Sequence, residues 1–469
     1  MNMKWPRNRF LLLPYVALLI AFVTVGCTSK EDPAETLDIS GNHSTGDLTM
    51  VTTDTSSDGF HYLNPQYNAD NDKILFTADW WAIPTVRDPG DATFVNHRQM
   101  ILIDMRIGVD PKLNLLEQGA ELIFLPEINI PYGGSAQFLT ETEDMTKGNP
   151  VWEDDTHILF WMLLPKIGSR LFRADISTPD DAQFEVLHLE PTDNDFSAVA
   201  WQHMDCTLSP DKRWLAFTRF GCTIPDSFET CSGVAIKVLD METAAVNNGY
   251  DAVTHTLTSE YSRIEALNWS PDGTKIIFSG GMDVAGAGVG SGTEIFTLDV
   301  DTVALDNGTP VLDDNIKRLT YTSMTPGDPI SGILNTSPVY SNDGSKVYFV
   351  STRRVPTTTL HDRNIWVIPS DGRLDPEIYY FTRSDDVDPF VMPDDRLLFS
   401  SALGFPTEML VRLEEETYLR IFELNNKPVD QGGYGGALDE VQMREMASEE
   451  IRNIEFFEGV MSHIYTFTK

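Results

Sequence analysis

Six related segments recur along this chain, and internal repetition restricts the possible folds more than any other feature of the sequence. Each copy holds an Asp that is followed by a Phe after five or six residues. The copies read NPQYNADNDKILF (64–76), NPVWEDDTHILF (149–160), CTLSPDKRWLAF (206–217), LNWSPDGTKIIF (267–278), SPVYSNDGSKVYF (337–349) and DPFVMPDDRLLF (388–399). The shared residues are Asp70, Asp155, Asp211, Asp272, Asp343 and Asp394, then Phe76, Phe160, Phe217, Phe278, Phe349 and Phe399.

Each copy predicts a strand, a tight turn and a second strand. Asp bonds back to its own backbone and Gly accepts positive φ, so Pro-Asp-Gly and Asn-Asp-Gly form turns and the shared Asp is a turn residue. An aromatic column at Tyr67, Trp152, Trp269 and Tyr340 precedes the turn. The apolar run after the turn is typical of a strand buried on both faces.

Further strand patterns follow every copy, and in the last repeat they lie at 408–413 and 417–424. Four strands in each of six units predict an all-β fold, a six-bladed β-propeller. We expect the propeller over residues 59–425 and a tail with a short helix over 426–469. Ring closure by residues 47–53 or by 463–469 remains open.

The repeats WSPDGTKIIF (269–278) and LSPDKRWLAF (208–217) resemble those of TolB-type, WD40-like propellers, and the resemblance covers most of the chain. It implies the fold but no single activity, because such propellers are binding modules, scaffolds or non-catalytic domains of peptidases.

The N-terminus carries the pattern of an export signal over residues 1–26. Basic residues precede an apolar run that ends in Gly26 and Cys27. This order resembles a lipoprotein signal, which implies diacylation of Cys27 and a flexible tether over 27–58. An uncleaved anchor is the alternative. Thr28 follows the lipid site, where Asp would favour the inner membrane, so the resemblance implies the outer membrane, with the body in the periplasm or at the cell surface.

The formal net charge of −37 argues against nucleic acid as a partner. We expect contact with the membrane through the lipid anchor alone, and an envelope protein or a small ligand as the partner.

Three cysteines remain beyond the lipid site. Cys222 and Cys231 bracket a short polar segment, and in an oxidising compartment they can form a disulfide that leaves Cys206 unpaired. A bridge between Cys206 and Cys222 is the competing pairing.

Familiar hydrolase, nucleotide-binding and EF-hand motifs are absent from the sequence. We therefore predict no catalytic residues and no cofactor. Calcium is an ion that the acidic clusters could hold, since carboxylates are hard oxygen ligands. These clusters are the pairs Asp193/Asp195 and Asp313/Asp314 and the triplet Asp385/Asp386/Asp388.

Long loops at 79–98, 218–233, 279–292 and 350–363 follow the second strand of four repeats, so they should gather on one face of the ring. They concentrate Trp, Arg and His, the first two of which are typical of binding hot spots. The alternative for the two Trp is that they cap the core. The candidate binding face comprises Trp80, Trp81, Arg87, His97, Arg219, Arg353, Arg354, His361 and Arg363.

Three functions agree with these features. The first is a non-catalytic binding or scaffold lipoprotein, and the second is a propeller enzyme (a lyase, lactonase or glycan-acting hydrolase) with its site at the channel mouth. The third is a purely structural part of the envelope.

Overall fold

A computed structural model describes part of the chain, all of it within one unit that spans residues 43–469. The described residues are 47–52, 60–81, 96–105, 121–123, 127–132, 135–140, 146–164, 168–179, 182–187, 200–222, 231–246, 253–281, 284, 292–321, 333–353, 363–380, 385–401, 418–428, 434, 436–444, 446 and 463–468.

Six antiparallel units of four strands follow one another along the chain, each corresponding to one sequence repeat. Blade 1 consists of β2 (Phe60–Asn68), β3 (Lys73–Trp81), β4 (Asn96–Asp104) and β5 (Glu121–Ile123). Blade 2 consists of β8 (Thr146–Trp152), β9 (His157–Leu164), β10 (Gly168–Asp175) and β11 (Gln183–Val186). Blade 3 consists of β12 (Ala200–Leu208), β13 (Trp214–Cys222), β14 (Cys231–Asp240) and β15 (Thr254–Thr256).

Blades 4 and 5 follow the same pattern, and blade 6 takes its outer strand from the start of the chain. Blade 4 consists of β16 (Ile264–Trp269), β17 (Lys275–Gly280), β18 (Glu294–Asp299) and β19 (Lys317–Arg318). Blade 5 consists of β20 (Asn335–Tyr340), β21 (Lys346–Ser351), β22 (Asn364–Pro369) and β23 (Glu377–Tyr380). Blade 6 consists of β24 (Asp386–Val391), β25 (Leu397–Ser401), β26 (His463–Thr468) and β1 (Asp47–Met50). A separate hairpin, β6 (Glu127–Tyr132) with β7 (Ser135–Thr140), lies between blades 1 and 2 in sequence.

The first strand of each blade contacts the first strands of both neighbouring blades, so the six inner strands form a closed ring. This confirms the six-bladed β-propeller. The six shared Phe residues are all fully buried, as the repeat predicts. Each lies on the second strand of its blade, in one of the apolar layers that separate neighbouring blades.

Both termini close the ring. Strand β26 pairs with β25 and with β1, which joins Asp47 to Thr468 and Met50 to Tyr465 in register. The propeller thus begins before residue 59 and ends after residue 425, inside the segments expected to be tether and tail.

The expected fourth strand at 417–424 is wrong, because residues 418–425 form a helix. Tyr418 and Ile421 recur at helical spacing and pack with Met443 of a second helical segment, residues 440–444 and 446. Both segments therefore belong to the connection between the second and third strands of blade 6. The expected strand at 408–413 lies outside the described residues.

Two shorter helices, Met241–Val246 and Thr302–Asp306, follow the third strands of blades 3 and 4. Among the described residues, we find no helix with the length and apolar character needed to cross a membrane.

The shared Asp acts as a turn residue in the last four blades. Asp272, for example, accepts hydrogen bonds from Ser270 Oγ at 2.6 Å and from Thr274 N at 3.0 Å. In blade 2 the neighbouring Asp154 takes this role, since it accepts from Thr156 N at 2.7 Å.

Candidate functional site

The two ends of the ring differ. The tight turn between the first and second strands defines one end, the turn face, and the antiparallel pairing places the connection from the second to the third strand at the opposite end, the loop face. The loop-face connections are residues 82–95, 165–167, 223–230, 281–293, 352–363 and 402–462. Five of the six are long, and the last contains both helical segments of blade 6.

Near the loop face, every inner strand carries a β-bulge with a residue in the left-handed region. The φ angles lie between 45° and 55°, which is uncommon outside glycine and favours Asn and Asp. The six residues form a ring that we call the bulge ring: Asn64, Asn149, Asp205, Ala266, Ser337 and Asp388.

Two carboxylates connect residues of the bulge ring by hydrogen bonds between blades. Asp205 accepts from Asn149 Nδ2 at 2.6 Å and from Ala266 N at 3.3 Å, so it joins blades 2, 3 and 4. Asp388 accepts from Asn64 N at 3.1 Å and from Ser337 Oγ at 3.4 Å, so it joins blades 5, 6 and 1. The two Asp residues belong to blades on opposite sides of the ring, which gives the channel end an approximate twofold pattern.

The Asp205 carboxyl has a perturbed proton affinity. Desolvation in the wall of the channel raises its pKa to about 7, with further increases from the negative charges of Glu265 and Asp388. The hydrogen bond from Ala266 N opposes this shift. Glu265 itself is held by Arg263, with Nε–Oε2 and Nη2–Oε1 distances of 3.0 and 2.9 Å. This end of the channel therefore presents carboxylates, one of which exchanges a proton near neutral pH.

The bulge ring was not predicted from the sequence, although its six residues share a recognisable position in the aligned repeats. Four of its members, Asn64, Asn149, Ser337 and Asp388, stand directly before Pro in the aligned repeats. All six stand three residues before the column that holds Tyr67 and Trp152.

Most of the predicted binding-face residues that the structure describes lie at the loop-face ends of their strands. Trp80 is paired with His97 at the end of the β3–β4 ladder, and Trp81 with Asn96. The side chains of Trp80, Trp81 and His97 lie outside the described residues, as do Arg87, Arg354 and His361.

The three described arginines of this face each contact a neighbouring side chain, and only Arg363 among them keeps as much as 38% of its side chain exposed. Arg363 contacts Asp385 at 2.6 Å, and Arg219, 14% exposed at its side chain, contacts Glu260 at 3.4 Å. Arg353 Nε donates to Asn335 Oδ1 at 3.4 Å, and burial lowers its pKa. Substitution of Arg353 would therefore disturb packing as well as the surface.

The acidic residues Asp313, Asp385 and Asp388 have structural partners in the described part of the chain. Asp313 accepts from Ser259 N at 2.9 Å and from Tyr261 OH at 3.0 Å. Asp193 and Asp195 lie outside the described residues. Among the residues that are described, no group of three or more His, Cys, Asp or Glu is placed to hold a metal ion, and calcium binding stays a prediction.

The described cysteines differ in their bonding state. Cys222 is disulfide-bonded, whereas Cys206 is a buried free thiol whose pKa is raised to about 12 by burial. Cys222 and Cys231 lie directly opposite each other on β13 and β14. A bridge between Cys206 and Cys222 does not form, and the register favours Cys231 as the partner. Cys27 lies outside the described residues.

No protein-family model and no curated protein matches this chain. Solved structures of similar shape include a Mycobacterium tuberculosis puromycin-hydrolyzing peptidase at 12% identity, with a TM-score of 0.42, over 76% of this chain and 46% of the peptidase. This chain thus spans about half the length of that peptidase.

TolB from Acinetobacter baumannii is similar at 16% identity, with a TM-score of 0.39, over 72% of this chain and 75% of TolB. The β-propeller domain of the Trilobed protease from Pyrococcus furiosus is similar at 10% identity, with a TM-score of 0.36, over 74% of this chain and 79% of that domain. At these values the likeness carries no information on what this chain binds. Strand pairing and the aligned repeats identify the fold as a six-bladed β-propeller.

Proposed function

We propose that this protein is a cell-envelope lipoprotein that binds an envelope protein or a small ligand at its loop face and catalyses no reaction. One observation carries the proposal: five long connections leave the ring at the same end, around a channel mouth lined by carboxylates. Loops held on a rigid scaffold commonly form recognition surfaces.

The charged groups at the channel mouth limit the chemical class of the partner. Asp205, Glu265 and Asp388 interact electrostatically at this end of the channel, which favours a cationic or hydrogen-donating group over an anionic one. The strong net negative charge acts in the same direction and disfavours nucleic acid.

The proposed location follows from the N-terminal sequence. A basic head, an apolar run and the Gly26–Cys27 pair support lipidation, and two acyl chains anchor a protein stably where one does not. The body would then be held at the outer membrane by lipid alone, in the periplasm or at the cell surface.

Site-specific photocrosslinking in cells tests the binding face. A photoreactive residue at position 81 or 363 samples the loop face, and one at position 303 or 374 samples exposed side chains of the turn face as a matched control. We expect a shared adduct from 81 and 363 and none from 303 or 374. Adducts confined to the turn face would contradict the proposal.

The enzyme alternative has one observation in its favour. A carboxyl with a pKa of about 7 can both accept and donate a proton near neutral pH, as general acid–base catalysis requires. Turnover of a lactone or a glycan by the purified protein, lost in Asp205→Asn while binding persists, would establish this function instead.

A further inference from the structure

A hairpin is inserted between blades 1 and 2, and the direction of the neighbouring strands places it at the loop face. The last strand of blade 1, β5, is antiparallel to β4, so it runs from the turn face towards the loop face. Strand β8 of blade 2 begins at the loop-face end of β4, where Thr146 pairs with Arg98. The chain between β5 and β8, which includes β6 and β7, therefore leaves and re-enters the ring at the loop face.

This hairpin is separate from the sheets of the blades. Its register runs from Glu127 opposite Thr140 to Tyr132 opposite Ser135, and within the described part of the chain neither strand pairs with a third. A hairpin of two strands alone is at best marginally stable in water, whereas a third strand stabilises it. Strands β6 and β7 thus form a small sheet with room for another strand.

The two edges of this small sheet are not equivalent. Proline has no N–H, and within a sheet it occupies positions whose N–H would point away from the paired strand. Pro131 of β6 lies opposite Ala136 of β7, so this pair directs its backbone groups outward. Because outward and inward pairs alternate, Phe138 and Thr140 also direct their N–H and C=O groups outward. The outer edge of β7 therefore presents a regular row of donors and acceptors, while the outer edge of β6 is interrupted at Pro131.

The edge of β7 also lacks the features that protect other edges. Natural proteins protect edge strands by keeping them short or by placing charged residues or Pro in them. The outer strands of the six blades have only two to four residues each. Strand β7 has six residues, none of them charged and none of them Pro. Such an edge is suited to pairing with another extended chain.

We propose that β7 is a docking edge of the loop face, on which an extended segment of a partner protein pairs as a third strand. The inference rests on the proposed function, because it takes binding to occur at the loop face, and it selects a protein segment over a small ligand. Backbone hydrogen bonds with Ala136, Phe138 and Thr140 provide the affinity. The strong net negative charge of the chain favours a segment whose side chains are basic or uncharged.

Photocrosslinking in cells, with a photoreactive residue at position 137 of β7, samples this edge. Ala136→Pro removes one outward N–H from β7 and should lower the adduct yield roughly tenfold, the effect of losing one backbone hydrogen bond. Asn129→Pro is the matched control. Asn129 lies opposite Phe138, so this change removes an outward N–H from the other edge of the same hairpin and should leave the yield unchanged. Both variants should unfold at the temperature of the wild type, since the described hairpin pairs with no blade.

The possible results separate this inference from the proposed function. We expect an adduct with another protein at position 137 that is weakened by Ala136→Pro and not by Asn129→Pro. An equal loss in both variants, or an adduct with a second copy of this chain, would overturn the docking edge. Adducts at positions 81 and 363 with none at 137 would also overturn it, and would leave the proposed function in place. No adduct at any of the three positions would contradict both.

Discussion

At the scale of single residues, two kinds of Asp recur in the repeats and their environments separate their roles. Asp272, at a tight turn, accepts from Ser270 and Thr274, and these hydrogen bonds lower its pKa. Asp205, in the bulge ring, is desolvated and its pKa is raised to about 7. The first kind of Asp stabilises the hairpin, and the second places an ionisable group at the channel mouth.

The raised pKa of Asp205 predicts how stability changes with pH. The folded protein holds this proton more tightly than the unfolded chain, so the contribution is complete below about pH 4 and is lost as the pH rises through 7. Asp205→Asn should therefore flatten the fall in unfolding temperature between pH 5 and pH 8. Asp272→Asn is the control: Asp272 is ionised in both states over this range, so the slope should not change. Identical slopes for wild type and Asp205→Asn would contradict the assignment.

The two kinds of Asp were not equally predictable from sequence. A turn residue is recognisable because Pro-Asp-Gly acts locally. The role of Asp205 depends on Asn149 and Ala266, which lie in other blades and meet it only in the closed ring. The sequence therefore predicted the hairpin chemistry and missed the channel-mouth carboxylates. Arg219 and Arg353 were predicted to be binding residues, and this stays a prediction; the neighbouring side chains that hold them were not foreseeable from the sequence.

At the scale of elements, the second strand of each blade forms the centre of the packing. Phe278 shows this well: it is fully buried and stacks on Phe296 of the next strand, with 5.7 Å between centroids. The period of the repeat predicted these strands, because each must bury both faces between neighbouring blades. The strand predicted at 417–424 was wrong because the apolar residues of this segment suit either a strand or a helix. The helix places Tyr418 and Ile421 on one side, where they pack with Met443.

Truncation of this Phe measures the contribution of the layer. Phe278→Ala should lower the free energy of unfolding by about 3–5 kcal/mol, because it removes buried contacts and leaves a cavity. Phe422→Ala provides the control, since Phe422 is 45% exposed in the helical connection, and it should change stability by about 0.5 kcal/mol or less. Urea unfolding followed by tryptophan fluorescence measures both. A small effect of Phe278→Ala would mean that this layer is loosely packed.

At the scale of the whole molecule, the chain combines a closed ring with an N-terminal sequence that resembles a lipoprotein signal. The number of blades follows from the number of repeats. The manner of closure does not: residues 47–53 and 463–469 were recognisable as alternative closing strands, but they carry no repeat motif, and only the structure shows that both take part and pair with each other.

Lipidation is tested at this scale by changing the proposed acceptor. Cys27→Ser should move the protein from the membrane to the soluble fraction, because the lipid is the only expected anchor. The folded body should be unaffected, so the thermal unfolding curve of the released protein serves as the control. A variant that still sediments with membranes would remove the lipoprotein proposal.

The joint closure of blade 6 by both termini has a consequence for the timing of folding. Ile464 N donates to Thr52 Oγ1 at 2.8 Å across 412 positions of sequence, so this contact cannot form until residue 464 has been synthesised. Contacts of such long range are slow to form, and until β26 pairs, β25 is an uncovered edge strand and β1 lacks its partner strand. A nascent or truncated chain therefore exposes a strand edge and an apolar blade face to other copies, and the pairing of residues 463–468 with β25 and β1 ends this period of exposure.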